Sequence, residues 1–191
     1  MKRAWPWIAA TLALTAAFHL LTIYAYPYFK MVELGRRGKG SANTIFHRSR
    51  VSAESRQVVR PSPDLIYSGC GYDLSKHPLK ISATVPQDTY WSVSMFAANT
   101  DNFFVLNDKK ARGKKVEIIL FRKGADYREG ENVTSLWLWA WMVTRNEDYR
   151  AEMVESPSTR GLVLFRMLIT DESKVQDLIR TQKMASCQSV E

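Results

Sequence analysis

Residues 79–85 read Leu79-Lys80-Ile81-Ser82-Ala83-Thr84-Val85, so that apolar and polar side chains alternate without a break. Successive side chains of a β-strand point to opposite faces, and this period of two predicts a strand with one buried face and one wet face. From Pro61 to the C-terminus the same period recurs, interrupted about every ten residues by turn-forming residues. This pattern is typical of an all-β sandwich or barrel.

Further strands follow from the same alternation. They are predicted at residues 65–72, 90–97, 103–106, 116–122, 133–144, 149–155 and 161–169. The strands at 90–97 and 103–106 flank the turn-forming sequence Asn-Thr-Asp-Asn at 99–102, and we predict that they pair as a hairpin.

A helix is predicted after the last strand. Thr170 or Asp171 can cap its N-terminus, and Val175, Leu178 and Ile179 recur at spacings of three and four, which places them on one apolar face. That face can dock on a sheet. The predicted fold is therefore a two-sheet β-sandwich, jelly-roll-like, preceded by one N-terminal transmembrane helix and followed by a short C-terminal helix.

The composition excludes some classes of protein. The chain has 191 residues, of which 46% are apolar and 24% charged, so it can bury one core and is not disordered. Its net charge of +8 would suit an anionic partner such as nucleic acid. However, residues 1–40 hold six basic residues and one acidic residue, whereas the other 151 hold 21 and 18. The globular part is nearly neutral, which disfavours nucleic acid as a partner.

The N-terminal segment is long and apolar. Residues 4–29 carry no formal charge, and as a helix they would extend about 39 Å, more than the roughly 30 Å hydrocarbon core of a bilayer. Aromatic side chains flank it where membrane interfaces are expected, namely Trp5, Trp7, Tyr24, Tyr26 and Tyr28. We predict a retained anchor over residues 1–30. The alternative is a cleaved signal peptide, which has a shorter apolar core of about 7–15 residues and a small-x-small cleavage site.

A basic juxtamembrane linker is predicted over residues 31–60, and the β-sandwich with its C-terminal helix over residues 61–191. Arg36, Arg37 and Lys39 lie just beyond the anchor, where basic side chains contact anionic lipid head groups. Charge counting slightly favours a cytoplasmic C-terminal domain, whereas a very short basic N-terminus followed by a long domain favours export. The exported orientation is our prediction.

Two cysteines, Cys70 and Cys187, are present. Outside the cytosol they could form one disulfide, which would restrict the unfolded chain by about 4–5 kcal/mol in the chain-entropy model. The alternative is two unpaired buried thiols, since the sequence does not show whether the two Cα atoms come within about 7 Å. Neither the cysteines nor His19, His47 and His77 have metal-ligand spacing, so no metal site and no cofactor is predicted.

One predicted strand carries Trp137, Trp139 and Trp141 on a single face. Such a stripe could stack sugars or bases, or it could belong to a buried central strand or to a surface at the membrane interface. Together with Arg166, it is the candidate ligand or partner surface. Arg166 interrupts an apolar strand, and because an unpaired buried charge is costly, we predict an ion pair with a carboxylate or else a contact with a ligand anion.

The sequence contains no catalytic motif from which an activity follows. There is no Gly-rich phosphate loop, G-x-S-x-G elbow or H-E-x-x-H pair. The aspartates adjoin turn-forming residues at predicted strand ends, and turn chemistry accounts for them. Linear spacing does not show two carboxylates in the geometry that acid–base catalysis requires, so the catalytic residues, if any, are unknown.

Five runs of sequence carry a resemblance to a known family. They are 63–75 (PDLIYSGCGYDLS), 78–86 (PLKISATVP), 90–93 (YWSV), 102–108 (NFFVLND) and 155–166 (ESPSTRGLVLFR). With a terminal helix that ends near a cysteine, they resemble the short membrane-anchored members of the bacterial domain of unknown function 1254 family. The resemblance implies a β-sandwich, a single N-terminal span and a bacterial inner-membrane location, and it transfers no catalytic residue.

The resemblance also implies a partner. Larger relatives carry a second domain, the domain of unknown function 1214, so a separate small membrane protein is expected to supply it here. The expected function is that of a single-pass membrane protein whose periplasmic β-sandwich contacts the lipid bilayer and acts as a non-catalytic binding or assembly module. The alternative is a cell-envelope enzyme that acts on a small molecule or glycan in a cleft of the sandwich.

Overall fold

The computed structural model describes residues 4–37, 42–52, 54–55, 61–111, 113–124 and 149–190. Helix α1 spans Trp5–Arg37 and helix α2 spans Val175–Lys183, with a 3₁₀ turn at Glu172–Lys174 before it. The strands are β1 Thr44–His47, β2 Leu65–Asp73, β3 Leu79–Thr84, β4 Trp91–Ala97, β5 Asn102–Asn107, β6 Lys115–Arg122, β7 Tyr149–Ser156, β8 Arg160–Leu168 and β9 Ser186–Ser189.

The strands form two sheets. Sheet A has the order β1-β2-β8-β4-β5, and sheet B has the order β7-β6-β3-β9. Neighbouring strands pair antiparallel, except that β6 and β7 run parallel. Buried apolar residues from both sheets form one cluster, so the arrangement is sandwich-like, as predicted. The jelly-roll-like connectivity stays a prediction.

Strand β3 shows why the alternating sequence forms this core. Leu79 and Ile81 face the cluster and are at most 6% exposed. Lys80 and Ser82 lie on the opposite face, where the Lys80 Nζ is 3.5 Å and the Ser82 Oγ 3.3 Å from Oε1 of Glu117. The predicted division of this strand into a buried and a wet face is confirmed.

The predicted hairpin is also confirmed. Strand β4 pairs antiparallel with β5, with Val93 opposite Leu106, and a β-bulge lies between Met95 and Phe96. The turn between the strands places Thr100 at a φ of 72°, in the left-handed region that non-glycine residues seldom occupy.

The predicted C-terminal helix corresponds to α2. Val175 and Leu178 are buried, and Ile179 is partly buried against the core, as the apolar spacing indicated. Asp171, one of the two candidate caps, caps the 3₁₀ turn that precedes α2, because its Oδ1 accepts a hydrogen bond from the Ser173 N–H at 2.8 Å. The N-cap of α2 itself is Lys174, whose side chain makes no capping hydrogen bond.

Three elements differ from the sequence expectations. Helix α1 continues to Arg37, beyond residue 30 where the anchor is predicted to end. Strand β1 lies inside the segment predicted as a linker, and β9 follows α2, so the helix is not the last element. Both strands have only four residues, too few for an alternating pattern to appear. The strand predicted at 133–144 lies outside the described residues.

A close approach at Gly161 brings β8 against β4 and the side chain of Tyr72. A Cβ added to Gly161 would lie 2.1 Å from the carbonyl oxygen of Phe96 and 2.4 Å from the Tyr72 Oη. The Tyr72 hydroxyl donates to that same carbonyl at 3.2 Å and lies 2.9 Å from the Oγ of Ser156 on sheet B. Glycine at this position therefore permits a buried polar contact between the two sheets.

A disulfide joins the candidate pair Cys70 and Cys187, with the two Cα atoms 6.6 Å apart. Cys70 lies on β2 of sheet A and Cys187 on β9 of sheet B, and both are buried. The bond crosses 117 positions of sequence. It therefore holds the short strand β9 to the opposite sheet.

We predict that the double variant C70A/C187A has a lower free energy of unfolding than the wild type. The chain-entropy model gives a contribution of about 4–5 kcal/mol for a loop of this length, and removal of a native disulfide typically costs about 2–5 kcal/mol. Denaturant titration of the full chain in detergent measures the difference. Reductant should destabilise the wild type and leave the double variant unchanged; equal stability of the two proteins would contradict the prediction.

Candidate functional site

A cleft of about 470 Å³ lies between the C-terminal end of helix α1 and sheet A. Its volume falls in the range of small-molecule sites, about 300–1,000 Å³. From the helix it is lined by Tyr28, Met31, Val32 and Gly35. From the sheet side it is lined by Thr44, Phe46, Gly71, Asp73 and Arg160, among others.

Glycines on β2 let the helix approach the sheet. A Cβ added to Gly71 would lie 3.6 Å from the Gly35 Cα, so the helix backbone approaches the strand closely with no side chain between them. At Gly69 the ring of Phe46 occupies the place of a Cβ, which would lie 2.4 Å from it. Because side chains alternate along a strand, both glycines face outward while Cys70 faces the core. The outer face of β2 thus forms the floor of the cleft.

An ion pair marks one end of the cleft. The Arg160 Nε donates to Oδ2 of Asp73 at 2.8 Å, and the Ser75 N–H donates to Oδ1 at 3.0 Å. The Arg160 side chain is 74% exposed, whereas that of Asp73 is 21% exposed. Burial raises the pKa of Asp73, but the hydrogen bonds from Ser75 and Arg160 outweigh this effect, so the pKa lies below its ordinary value.

Asn43 forms hydrogen bonds that connect the strands around this ion pair. It adopts a φ of 65°, and its backbone N–H donates to the Gly71 carbonyl at 2.8 Å. Its side-chain Oδ1 accepts from the Asp73 N–H at 2.8 Å, and its Nδ2 donates to the Asp73 carbonyl at 2.9 Å and to Ser189 Oγ at 2.8 Å. These bonds connect the start of β1 to the ends of β2 and β9. The polar end of the cleft is therefore tied to three strands.

Arg166 lies elsewhere, in the middle of sheet A. The ion pair predicted for it is not found in the part of the chain that the structure describes. Instead, its Nε and Nη2 donate to the hydroxyl oxygens of Ser92 and Ser94 on β4, both at 3.2 Å. Both serines are fully buried, and their oxygens supply the acceptors that a carboxylate was expected to supply. The alternative contact with a ligand anion stays a prediction.

Helix α1 is long and apolar enough to cross a membrane. Its 33 residues extend about 50 Å, and large side chains such as Phe18 and Leu20 are 71% and 67% exposed. The predicted interface residues on it are also exposed, between 41% and 77%, namely Trp5, Trp7, Tyr24, Tyr26 and Tyr28. Tyr28 is the only one of these five that lines the cleft.

Trp137, Trp139 and Trp141 lie outside the described residues, as does Lys39. Arg36 and Arg37 form the end of helix α1.

The cleft combines apolar walls, a backbone floor and one charged pair. Asp73 is the only carboxylate among the described residues that line it, and Arg160 and Ser75 engage it. Within the described ranges no group of three His, Cys, Asp or Glu side chains could hold a metal ion. His47 is exposed at the end of β1, with its Nδ1 3.0 Å from the Ser68 Oγ, and partial desolvation followed by the charge of Lys183 lowers its pKa. Apolar walls with a few polar groups are typical of small-molecule sites.

Sequence reasoning did not identify the cleft. It assigned Asp73 to turn chemistry, and Arg160 and the two glycines on the outer face of β2 received no role. The one available signal is the spacing of Gly69 and Gly71, two positions apart on a strand and hence on the same face. Glycines so placed indicate a close backbone approach.

The fold and the cleft define a class of protein: a sandwich-like β-domain joined to a long apolar helix, with a cleft at the junction. The profile of the family described as "Protein of unknown function (DUF1254)" matches residues 42–189. The chain belongs to this family, as the sequence resemblance indicated. No protein with a curated function matches the sequence.

Two solved structures share the fold. The VPA0106 protein from Vibrio parahaemolyticus superposes with a TM-score of 0.61 at 10% identity, over 88% of this chain and 36% of that one. An uncharacterized protein from Burkholderia cenocepacia superposes with a TM-score of 0.50 at 14% identity, over 84% of this chain and 38% of that one. This chain therefore spans little more than a third of either structure.

We predict that the variant D73N loses stability at neutral pH but not in acid. The folded-state pKa of Asp73 is lowered, so its carboxylate stabilises the fold above the unfolded-state pKa of about 3.9, and this contribution disappears as pH falls through the folded-state pKa. The difference in unfolding free energy between the wild type and D73N should be about 1 kcal/mol or less at pH 7 and vanish near pH 2. Denaturant titrations across this range measure it. A difference that persists unchanged at pH 2 would assign the effect to packing instead.

Proposed function

We propose that this protein is a single-pass protein of the bacterial inner membrane whose β-sandwich lies in the periplasm and acts as a non-catalytic binding or assembly module. The observation that carries the proposal is the cleft at the junction of helix α1 and sheet A. A ligand or partner segment held there contacts the anchor and the sandwich together. Binding would therefore couple the position of the domain to the membrane.

The helix and the disulfide support the location. The apolar side chains of α1 are exposed along its length, and lipid would give them an apolar environment. Disulfides persist in oxidising compartments such as the bacterial periplasm and are rare in the cytosol. The bond between Cys70 and Cys187 therefore favours the exported orientation over the cytoplasmic one that charge counting slightly favours.

The lining of the cleft supports binding over catalysis. The enzyme alternative requires carboxylates that converge with separated pKa values. The described lining offers one carboxylate, Asp73, whose lowered pKa and ion pair with Arg160 keep it ionised at neutral pH. A permanently ionised, paired carboxylate is suited to orienting a ligand and poorly suited to donating a proton.

The proposal includes a companion protein. This chain corresponds to 36% and 38% of the two similar structures, so most of each lies outside the shared fold. The family resemblance suggests that a separate membrane protein carrying the domain of unknown function 1214 supplies a companion module. The sandwich would then act as one half of an assembly.

A reporter fused after Glu191 tests the location. We expect an alkaline phosphatase fusion, which is active only after export, to be active and to remain in the membrane fraction after carbonate extraction. A β-galactosidase fusion at the same position should be inactive. The matched control lacks residues 4–29 and should lose phosphatase activity. An active β-galactosidase fusion, or a soluble mature chain that begins after Tyr28, would refute the proposed location.

Copurification tests the assembly role. The full chain, tagged at the C-terminus and extracted from native membranes in mild detergent, should retain a membrane protein with a domain of the 1214 type in a fixed ratio. An unrelated single-pass protein with the same tag is the control and should not retain it. Recovery of the full chain without that partner would count against an assembly with this companion.

A further inference from the structure

We infer that the cleft binds an anionic single-chain phospholipid, with its phosphate at Arg160 and its acyl chain along the outer face of β2. The inference rests on the proposed function, because it takes the ligand from the membrane that holds α1. It specifies the class of ligand, which the proposed function does not.

The strand register orders the lining from apolar to polar. Phe46 pairs with Gly69, Thr44 with Gly71 and Asp73 with Arg160, so the ring lies at the middle of the outer face of β2 and the ion pair at its C-terminal end. Gly69 and Asp73 are four residue steps apart along the extended strand, a distance of about 13 Å. A ligand that fills this length must be apolar at one end and polar at the other.

The apolar walls suit a single chain. Met31 and Val32 of the helix face the β1–β2 surface across the cleft, and at Gly35 and Gly71, which also line it, no side chain enters the space between helix and strand. One channel remains between the helix and the two strands. An extended acyl chain fits such a channel, whereas a flat polar ligand would leave its hydrogen-bonding groups against apolar walls.

Arg160 makes the polar end of the cleft favour an anionic group. Its Nε is engaged by Asp73, but neither Nη group has a partner in the part of the chain that the structure describes, and the side chain is 74% exposed. The ion pair fixes the guanidinium plane and leaves the four N–H groups of the two Nη atoms without a partner among the described residues. A guanidinium with free donors suits a phosphate oxygen better than an ammonium or a neutral sugar.

The membrane is the source because the cleft is continuous with the apolar helix. Tyr28 lines the cleft and belongs to the aromatic group at the C-terminal end of the predicted span, and Phe29 beside it is 66% exposed. The mouth of the cleft therefore lies at the level where phospholipid head groups are found if α1 spans the bilayer.

Titration of the purified full chain with palmitoyl lysophosphatidylglycerol tests the inference. The chain is prepared in dodecyl maltoside, and native mass spectrometry counts the bound lipid. We expect one lipid per wild-type chain. The variant G71L should bind at least about tenfold more weakly because its side chain enters the cleft.

The contribution of the Arg160 charge is tested separately. R160Q should weaken binding of the lysophospholipid about tenfold, and R180Q, which changes an exposed arginine on α2, should have no effect. Because G71L could disturb folding, circular dichroism and retention of the disulfide are measured for every variant, and R160Q alone carries the test if G71L is misfolded. Palmitate serves as a second ligand that lacks the phosphate.

Three results would overturn the inference. They are absence of bound lipid on the wild type, equal binding by all the folded variants, and binding of palmitate in preference to the lysophospholipid. Each of these leaves the reporter result intact, so the location in the proposed function is judged independently. Conversely, a cytoplasmic domain in the reporter assay would refute the proposed function whatever the lipid titration shows.

Discussion

The rest of the structure depends on which residues of strand β2 face the core and which face outward. On the inner face, Cys70 is bonded covalently to sheet B and Tyr72 reaches Ser156 across the core. On the outer face, Gly69 and Gly71 leave room for an aromatic ring and for the helix backbone. A register shift of one residue would exchange these faces, exposing the cysteine and placing glycine in the core. The sandwich and the cleft are therefore stabilised by the same register.

Two arginines of sheet A are stabilised in different ways, and the difference distinguishes a structural residue from a candidate ligand-binding residue. Arg166 lies in the middle of the sheet, where the hydroxyls of Ser92 and Ser94 accept its hydrogen bonds. Arg160 lies at the end of the same strand, where Asp73 engages only one of its nitrogen atoms and the side chain stays exposed. The first arginine is satisfied within the sheet. The second has N–H donors at the edge of an apolar cleft that no described residue engages, which makes it the more suitable group for recognising a ligand.

Much of the strand content could be predicted because alternation is a property of neighbouring residues. The burial of Leu79 and Ile81 and the helix face that includes Leu178 both follow from spacing alone. Strands β1 and β9 could not be predicted in this way, since four residues contain too little alternation and each is a strand only because it pairs with β2 or β3. The cleft was missed for a related reason, because its lining comes from a helix and from strands that are distant in sequence.

The amino-acid sequence by itself determined three features. They are a long apolar N-terminal helix, short strands in which apolar and polar side chains alternate, and two cysteines that could form a disulfide. Only the tertiary structure decided that Cys70 meets Cys187 across 117 positions and that Arg160 meets Asp73 across 87. The physical reason is that periodicity and turn preference are set by adjacent residues. Contacts between distant side chains depend on strand order and register, which are fixed by packing both sheets and the helix end at once.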